Sequence, residues 1–200
     1  MPIIYPIISL LFLSGFYIIG KSVSKFIHIT STLEKISKME FQYSTLGIAY
    51  FIFLLFPIFF FGFYNEIFFL VVSLFIIFLG FLNIAYNLTS IKIYHKKMLK
   101  LFSEKDIFNY LIYSLLILYF FLSISPVTSG DSVAYHLGAA KYIFKNGNFP
   151  TDIWNIENSL VGAGEFLNAF ALSVSALQFT SLINFAGLVS ILGLIEKFSF

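Results

Sequence analysis

The chain has 200 residues, of which 59% are hydrophobic and only 11% are charged, and its formal net charge is +2. A soluble domain is about 45–50% apolar and about 25% charged, so this composition excludes a soluble fold and indicates that lipid surrounds most of the chain. All twelve basic residues are Lys and Cys is absent, which excludes disulfides and thiolate metal sites and argues against nucleic acid as a partner.

Long uncharged segments predict an all-α fold, a polytopic transmembrane helix bundle of about six spans. A helix needs about 20 apolar residues to cross the hydrocarbon core of a bilayer. The predicted spans, in chain order, are residues 2–20, 45–63, 67–86, 107–124, 160–175 and 177–195. Only Tyr64, Asn65 and Glu66 separate the second span from the third, so these two spans are expected to form a tight antiparallel hairpin. The last two spans are expected to form a second hairpin.

The placement of the lysines predicts the orientation of these spans. Nine of the twelve Lys lie in residues 21–43 and 87–106. Basic loops face the cytoplasm, so we expect the turn at Glu66 and the long polar segment 125–159 to be extracytoplasmic, in a protein of the cell (inner) membrane. The chain then divides into residues 1–106, with the first helices and the basic loops, and residues 107–200, with the polar segment.

The polar segment 125–159 predicts a helix that lies on the membrane surface. Ser125-Pro126 is typical of the end of a helix. Ser129-Gly130-Asp131 predicts a turn and an N-cap for an amphipathic helix over 132–145, with Tyr142 on its apolar side, and Asn146-Gly147-Asn148 predicts where that helix ends. Asp131 is therefore either a helix cap or a carboxylate that acts as a general base or ion ligand.

Four further residues are candidates for substrate binding. His136 lies about 140° around the helix from Asp131, which argues against a metal pair, and it is either a locally bonded surface residue or a group for catalysis or lipid phosphate. Tyr135 and Trp154 suit either a sugar or the headgroup region. Glu165 lies one turn into an uncharged apolar helix, where a carboxylate costs about 2–4 kcal/mol; it is either functional or a hydrated group at the helix mouth. The sequence has no zinc-type pattern of His and Glu.

Several short motifs follow one another between residues 125 and 185. In chain order they are Pro126, Asp131 to His136, Lys141-Tyr142, Gly147 to Pro150, Asn155, Asn158-Ser159 and Gly164 to Leu167. Together they resemble the first large outward loop of multi-pass glycosyltransferases of the GT-C class, in particular bacterial relatives of the protein mannosyltransferases and the lipid A aminoarabinose transferases. The sequence departs from that pattern at Ser132, Val161 and Thr180-Ser181, where the family often has an acidic residue, a proline and a basic residue.

The resemblance implies a function and a role for each candidate residue. Such enzymes transfer a sugar from a polyprenyl-phosphate carrier to a glycan or lipid acceptor of the cell envelope, on the outer face of the membrane. Asp131 is then the catalytic base, and Tyr135, His136, Trp154 and Glu165 bind substrate. The lipid-linked sugar is the donor substrate, no cofactor is certain, and the need for a divalent metal stays open. Residues 107–200 are then the start of a GT-C-like catalytic core, in the N-terminal portion of a longer enzyme.

Two other functions stay open from the sequence. A transporter or flippase component is expected to place Glu165 along a polar path. The first four spans contain no Asp, Glu, Lys or His that would extend such a path, and Pro57 is a broken-helix position in the second of them. A non-catalytic membrane subunit of polysaccharide biosynthesis is consistent with the short length of the chain.

Overall fold

The computed structural model describes residues 3–26, 41–59, 61–62, 64–87, 107–126, 136–150 and 161–198. Within these ranges all regular secondary structure is helical, which confirms the predicted all-α class. The seven helices are α1 (Ile4–Phe26), α2 (Phe41–Phe59), α3 (Glu66–Asn87), α4 (Ile107–Ser123), α5 (Leu137–Asn146), α6 (Ala163–Ser173) and α7 (Phe179–Phe198).

Three of the helices are long and apolar enough to cross a membrane. They are the α1 segment Ile4–Phe26, the α2 segment Gln42–Phe59 and the α3 segment Glu66–Tyr86. The apolar parts of α4 and α7 are shorter, at 10–17 residues. Pro57 lies inside α2, as predicted, and the Asn65 side chain accepts a hydrogen bond from the Phe68 N–H at 2.8 Å, which caps the start of α3.

Helix α6 differs from the span that was predicted over residues 160–175. It has 11 residues, about 17 Å at the rise of an α-helix, which is roughly half of the hydrocarbon core. Ser175 adopts a left-handed conformation with φ of 61°, and the Ala176 N–H returns to the Ala171 carbonyl at 2.8 Å. The left-handed residue and the bond that follows it are those of a Schellman motif, which ends the helix before it is long enough to span the bilayer.

Helix α1 occupies the centre of the bundle, between α2 and α3. The prediction of a tight hairpin of α2 and α3 is therefore wrong in its packing, because a short turn connects these helices but each packs on α1. Glycines bring the backbones together. A Cβ added at Gly47 of α2 would lie 2.0 Å from the Phe16 carbonyl oxygen of α1. A Cβ added at Gly80 of α3 would lie 1.9 Å from the Leu11 carbonyl oxygen. Because glycine has no side chain, α1 approaches both neighbours at backbone contact, as small residues allow in membrane helices.

Residues 136–150 lie at the same end of the bundle as the turn between α2 and α3. The Phe149 ring packs on Phe59 at a centroid distance of 4.8 Å. Gly147 has φ of 67°, and a Cβ there would lie 2.0 Å from the Tyr64 carbonyl oxygen in the turn. The lysine-bearing end of α1 and the Tyr86 end of α3 meet at the opposite end. The structure thus has the relative arrangement that the lysines predicted; the assignment of each end to a membrane face stays a prediction.

Helix α5 (Leu137–Asn146) overlaps the helix predicted over 132–145, of which residues 132–135 lie outside the described residues. Its position on the membrane surface stays a prediction. The helix buries Ala139, Ala140 and Ile143, while Lys141 and Lys145 are exposed. Gly147 ends the helix in a left-handed conformation, as predicted. Tyr142 is 38% exposed rather than on the buried side, because it is adjacent to Ile143 in sequence and so points about 100° away from it. The predicted N-cap at Asp131 lies outside the described residues.

Candidate functional site

Glu165 closes the first turn of α6 by accepting a hydrogen bond from the backbone of Gly162. The N-cap residue, Gly162, has an extended conformation, and its N–H donates to the Oε2 atom of Glu165 at 2.9 Å. A glutamate three residues after the N-cap commonly closes the first turn in this way. The carboxylate also lies at the positive end of the short helix, where a negative charge is favoured.

The second carboxylate oxygen of Glu165 binds His136 of the preceding segment. The distance from His136 Nδ1 to Glu165 Oε1 is 2.7 Å, between residues 29 positions apart. A carboxylate oxygen accepts hydrogen bonds, so Nδ1 of His136 is the donor in this contact. The side chain of Glu165 is only 10% exposed, whereas that of His136 is 45% exposed. A buried carboxylate therefore holds an imidazole that solvent reaches.

This pair bears on interpretations that the sequence left open. The side chain of Glu165 is not hydrated at the helix mouth, because it is buried and both of its oxygens accept hydrogen bonds from the protein. His136 is not restricted to local hydrogen bonds, because its partner is on another helix. Both residues are thus part of one tertiary arrangement, and their part in a function stays a prediction.

An aromatic core supports α6 beneath the pair. The Phe166 ring lies 4.9 Å from Phe59 and 5.6 Å from Tyr64, centroid to centroid. The Tyr64 hydroxyl donates to the Leu55 carbonyl at 2.8 Å, and burial raises the pKa of this hydroxyl above its usual value of 10.0. Phe59, Tyr64 and Phe166 all belong to the buried hydrophobic core, so the pair lies at the edge of an apolar core.

Hydrogen bonds between α3 and α6 add to this support. The buried Ser73 hydroxyl donates to the Phe170 carbonyl at 2.7 Å. The Ser173 hydroxyl donates to the Phe170 carbonyl at 2.7 Å and also lies 3.3 Å from the Phe69 carbonyl oxygen of α3. In an apolar bundle such bonds tie neighbouring helices together. Helix α6, which carries Glu165, is therefore held against α3, one of the three long apolar helices.

Asn168 is a buried polar residue of α6 that the sequence analysis missed. Its side-chain oxygen accepts a hydrogen bond from the Thr180 hydroxyl at 2.7 Å, and the residue is only 4% exposed. Asn168 follows Glu165 by three positions, a spacing that puts both on one side of a helix. An amide at this spacing in an otherwise apolar helix was the available signal.

The structure brings together two of the five predicted site residues, His136 and Glu165. The other three, Asp131, Tyr135 and Trp154, lie outside the described residues. Over the parts of the chain that the structure describes, no group of three or more His, Asp or Glu side chains could hold a metal ion.

A comparison with protein families places these features in one domain. The DUF1420 N-terminal domain matches residues 86–200, a range that contains α4 to α7 and both members of the His136–Glu165 pair. No curated protein and no solved structure matches the chain. Since the matching range is more than half of its length, the chain belongs to the DUF1420 family.

Proposed function

We propose that this protein is a membrane glycosyltransferase of the GT-C type. It transfers a sugar from a polyprenyl-phosphate carrier to a glycan or lipid acceptor of the cell envelope. The observation that carries the proposal is the His136–Glu165 pair, in which a buried carboxylate orients a solvent-reachable imidazole. His136 follows Asp131, the base that the motif resemblance implies, by five residues. Three apolar helices of membrane-spanning length are consistent with a lipid-linked donor.

In the proposed reaction, Asp131 is the general base. It accepts the proton of the acceptor hydroxyl while the hydroxyl oxygen forms a bond to the anomeric carbon of the sugar. The bond between that carbon and the phosphate oxygen breaks, and its electron pair leaves with the carrier phosphate. Tyr135 and Trp154 supply flat apolar faces on which a sugar ring stacks.

His136 and Glu165 have different roles in this proposal. His136 is the substrate-binding member, because 45% of its side chain is exposed. Glu165 is a positioning residue, because its two oxygens already accept bonds from His136 and from the Gly162 backbone. The carboxylate fixes the tautomer and the direction of the imidazole, as a carboxylate does for the histidine of other catalytic arrangements.

The proposed location of the reaction is the extracytoplasmic face of the cell inner membrane. Residues 136–150 share their end of the bundle with the turn at Tyr64, whereas Lys21 and Lys25 are at the other end. By the positive-inside rule the lysine-bearing end is cytoplasmic. The pair is then on the opposite face, where a translocated lipid-linked sugar is available.

The test compares three glutamine or asparagine variants in isolated membranes. Polyprenyl phosphate released from a panel of radiolabelled polyprenyl-phosphate sugars is measured for the wild type, Asp131→Asn, Glu165→Gln and Glu66→Gln. Asp131→Asn is expected to lower turnover by about 10²- to 10⁴-fold. Glu165→Gln is expected to lower kcat by about 10- to 100-fold through a misplaced imidazole.

Glu66→Gln is the matched control. Glu66 is also in the first turn of a helix at the same end of the bundle, but it is exposed. This variant is expected to keep wild-type turnover. Full turnover by Asp131→Asn would exclude Asp131 as the general base. If Glu66→Gln lost as much turnover as Glu165→Gln, the effect would be general to acidic residues at this end.

A further inference from the structure

A cavity of about 500 Å³ opens between α1 and α3 at the end opposite the His136–Glu165 pair. Its polar lining comes from Tyr17, Lys21, Ser22 and Lys25 of α1 and from Asn83 and Tyr86 of α3. We refer to it as the interhelical cavity. It begins within about a turn of Gly80, where the two helices are in backbone contact, so the cavity is the space that opens beyond that contact.

The lining of the interhelical cavity has a positive charge. Lys21 and Lys25 are one helical turn apart and so lie on the same side of α1. The Lys21 ammonium is held over the Tyr17 ring, 5.5 Å from its centroid, which directs this charge along the cavity wall. No acidic residue is among the described residues that line the cavity. An anion is therefore the ligand that the charge favours.

Polar groups at the inner limit of the cavity are fixed. The Asn83 amide donates to the Ser14 hydroxyl at 2.9 Å, and the Ser14 hydroxyl is 3.4 Å from the Gly80 carbonyl oxygen that accepts from it. These bonds connect α1 and α3 just where the cavity starts. The cavity is therefore a feature between two bonded helices and not a gap between separate ones.

An exposed apolar row leads away from the cavity along α3. Leu82 lines the cavity, and Phe78 and Leu74 follow it at intervals of four residues, which places all three on one side of the helix. Their exposed fractions are 44%, 55% and 52%. This row runs into the depth of the predicted span, so a ligand with its charge in the cavity can lay a hydrocarbon chain along it.

We propose that the interhelical cavity binds the phosphate headgroup of an anionic membrane lipid. The two lysines and the Ser22 hydroxyl supply donors for phosphate oxygens. Tyr17 and Tyr86 mark the level of the membrane interface, where headgroups lie. Basic pockets between transmembrane helices on the cytoplasmic side are suited to such headgroups. The apolar row on α3 favours a lipid over free phosphate as the source of the anion.

The test measures binding to the purified full chain in maltoside micelles. Dioctanoyl phosphatidylglycerol, dioctanoyl phosphatidylcholine and inorganic phosphate are titrated separately, and bound ligand is counted by native mass spectrometry. The phosphatidylglycerol is expected to bind at least about tenfold more tightly than either of the other two. The double variant K21Q/K25Q is expected to weaken its binding by about 30-fold, from the usual contribution of two lysines to anionic lipid attraction.

Two further variants separate the cavity from general surface charge. K141Q/K145Q removes a matched pair of exposed lysines, also four residues apart, from α5 at the other end, and is expected to change binding less than about twofold. Ala85→Trp fills the cavity from an exposed position of α3 while both lysines remain, and is expected to weaken binding by at least about tenfold. Circular dichroism establishes that each variant retains wild-type helix content.

Several outcomes would overturn the proposal. Unchanged phosphatidylglycerol binding in K21Q/K25Q would exclude the lysines as ligands. An equal loss in K141Q/K145Q would show that any exposed lysine pair attracts the lipid. Tight binding of inorganic phosphate alone would identify a soluble anion as the ligand, and unchanged binding in Ala85→Trp would place the lipid elsewhere on the surface.

Discussion

Replacement of Glu165 by alanine removes the acceptor oxygens of two hydrogen bonds. The Gly162 N–H and His136 Nδ1 both lose their partner. The loss of the bond to the N-cap residue costs about 1 kcal/mol, as for other helix caps. A hydrogen bond to a charged group contributes about 1.5–3 kcal/mol, but His136 is 45% exposed, so solvent screening reduces this value to about 1 kcal/mol. We therefore expect Glu165→Ala to lower the free energy of unfolding by about 2 kcal/mol.

A double-mutant cycle isolates the part of this loss that belongs to the pair. Unfolding of Glu165→Ala, His136→Ala and the double variant is followed by far-ultraviolet circular dichroism, in maltoside micelles titrated with dodecyl sulfate. Once one partner is absent, removal of the other costs less, so a coupling free energy of about 1 kcal/mol is expected. Glu66→Ala combined with His136→Ala is the control cycle and is expected to be additive within about 0.5 kcal/mol.

The result that would refute the reasoning is additivity in the first cycle. If the effects of Glu165→Ala and His136→Ala summed to that of the double variant within about 0.3 kcal/mol, the two side chains would not interact in the folded protein. The positioning role of Glu165 would then fail with the pair, whereas a helix-capping role would remain in the loss measured for Glu165→Ala alone.

Three further predictions concern glycines and Tyr64. In thermal unfolding, Gly147→Ala is expected to lower the free energy of unfolding by about 2–5 kcal/mol, because its φ of 67° and the Tyr64 carbonyl both oppose a Cβ. The control Gly62→Ala, with φ of 74° and open space around it, is expected to lower it by about 1 kcal/mol. Equal losses would contradict the close contact at Gly147. Gly80→Ala is expected to lower the free energy of unfolding by about 1–3 kcal/mol. The control Gly187→Ala is expected to cause no loss, because a Cβ there has nothing within 4 Å. No loss in Gly80→Ala would argue against the α1–α3 packing. Because burial raises the pKa of Tyr64 above 10.0, the neutral phenol stabilises the fold below about pH 10, and this contribution is lost as the pH rises through the raised pKa. The melting temperature of the wild type relative to Tyr64→Phe is therefore expected to fall as the pH rises above about 10. A difference that stays constant with pH would contradict a raised pKa of Tyr64.

Local features of the sequence predicted the helices well. The turn between α2 and α3 follows from the three-residue polar break Tyr64 to Glu66 between two apolar segments. The packing of these helices on α1 does not follow from it, and α2 ends earlier than predicted, at Phe59. The end of α5 at Gly147 follows from the left-handed conformation that glycine adopts readily. The short α6 was not predictable in the same way, because Ser175 carries a left-handed conformation that serine rarely adopts without tertiary support.

The candidate site was only partly predictable. Composition identified Glu165 as unusual, because a carboxylate in an apolar helix needs a partner or water. It did not identify His136 as that partner, since the two residues are 29 positions apart and no periodic pattern connects them. Asn168 had a signal, an amide in an otherwise apolar helix, but its bond to Thr180 was not predictable because the partner lies on the next helix.

The amino-acid sequence by itself determined that this chain forms apolar helices, and it predicted that the lysine-bearing end of α1 and the end of α3 lie together, opposite α5. It could do so because hydrophobic length and charge placement act on each segment independently of the others. Only the tertiary structure decided that α1 lies between α2 and α3, that α6 stops halfway, and that His136 meets Glu165. These features depend on contacts between distant segments, where the absence of a Cβ or the position of one carboxylate oxygen determines which surfaces can touch.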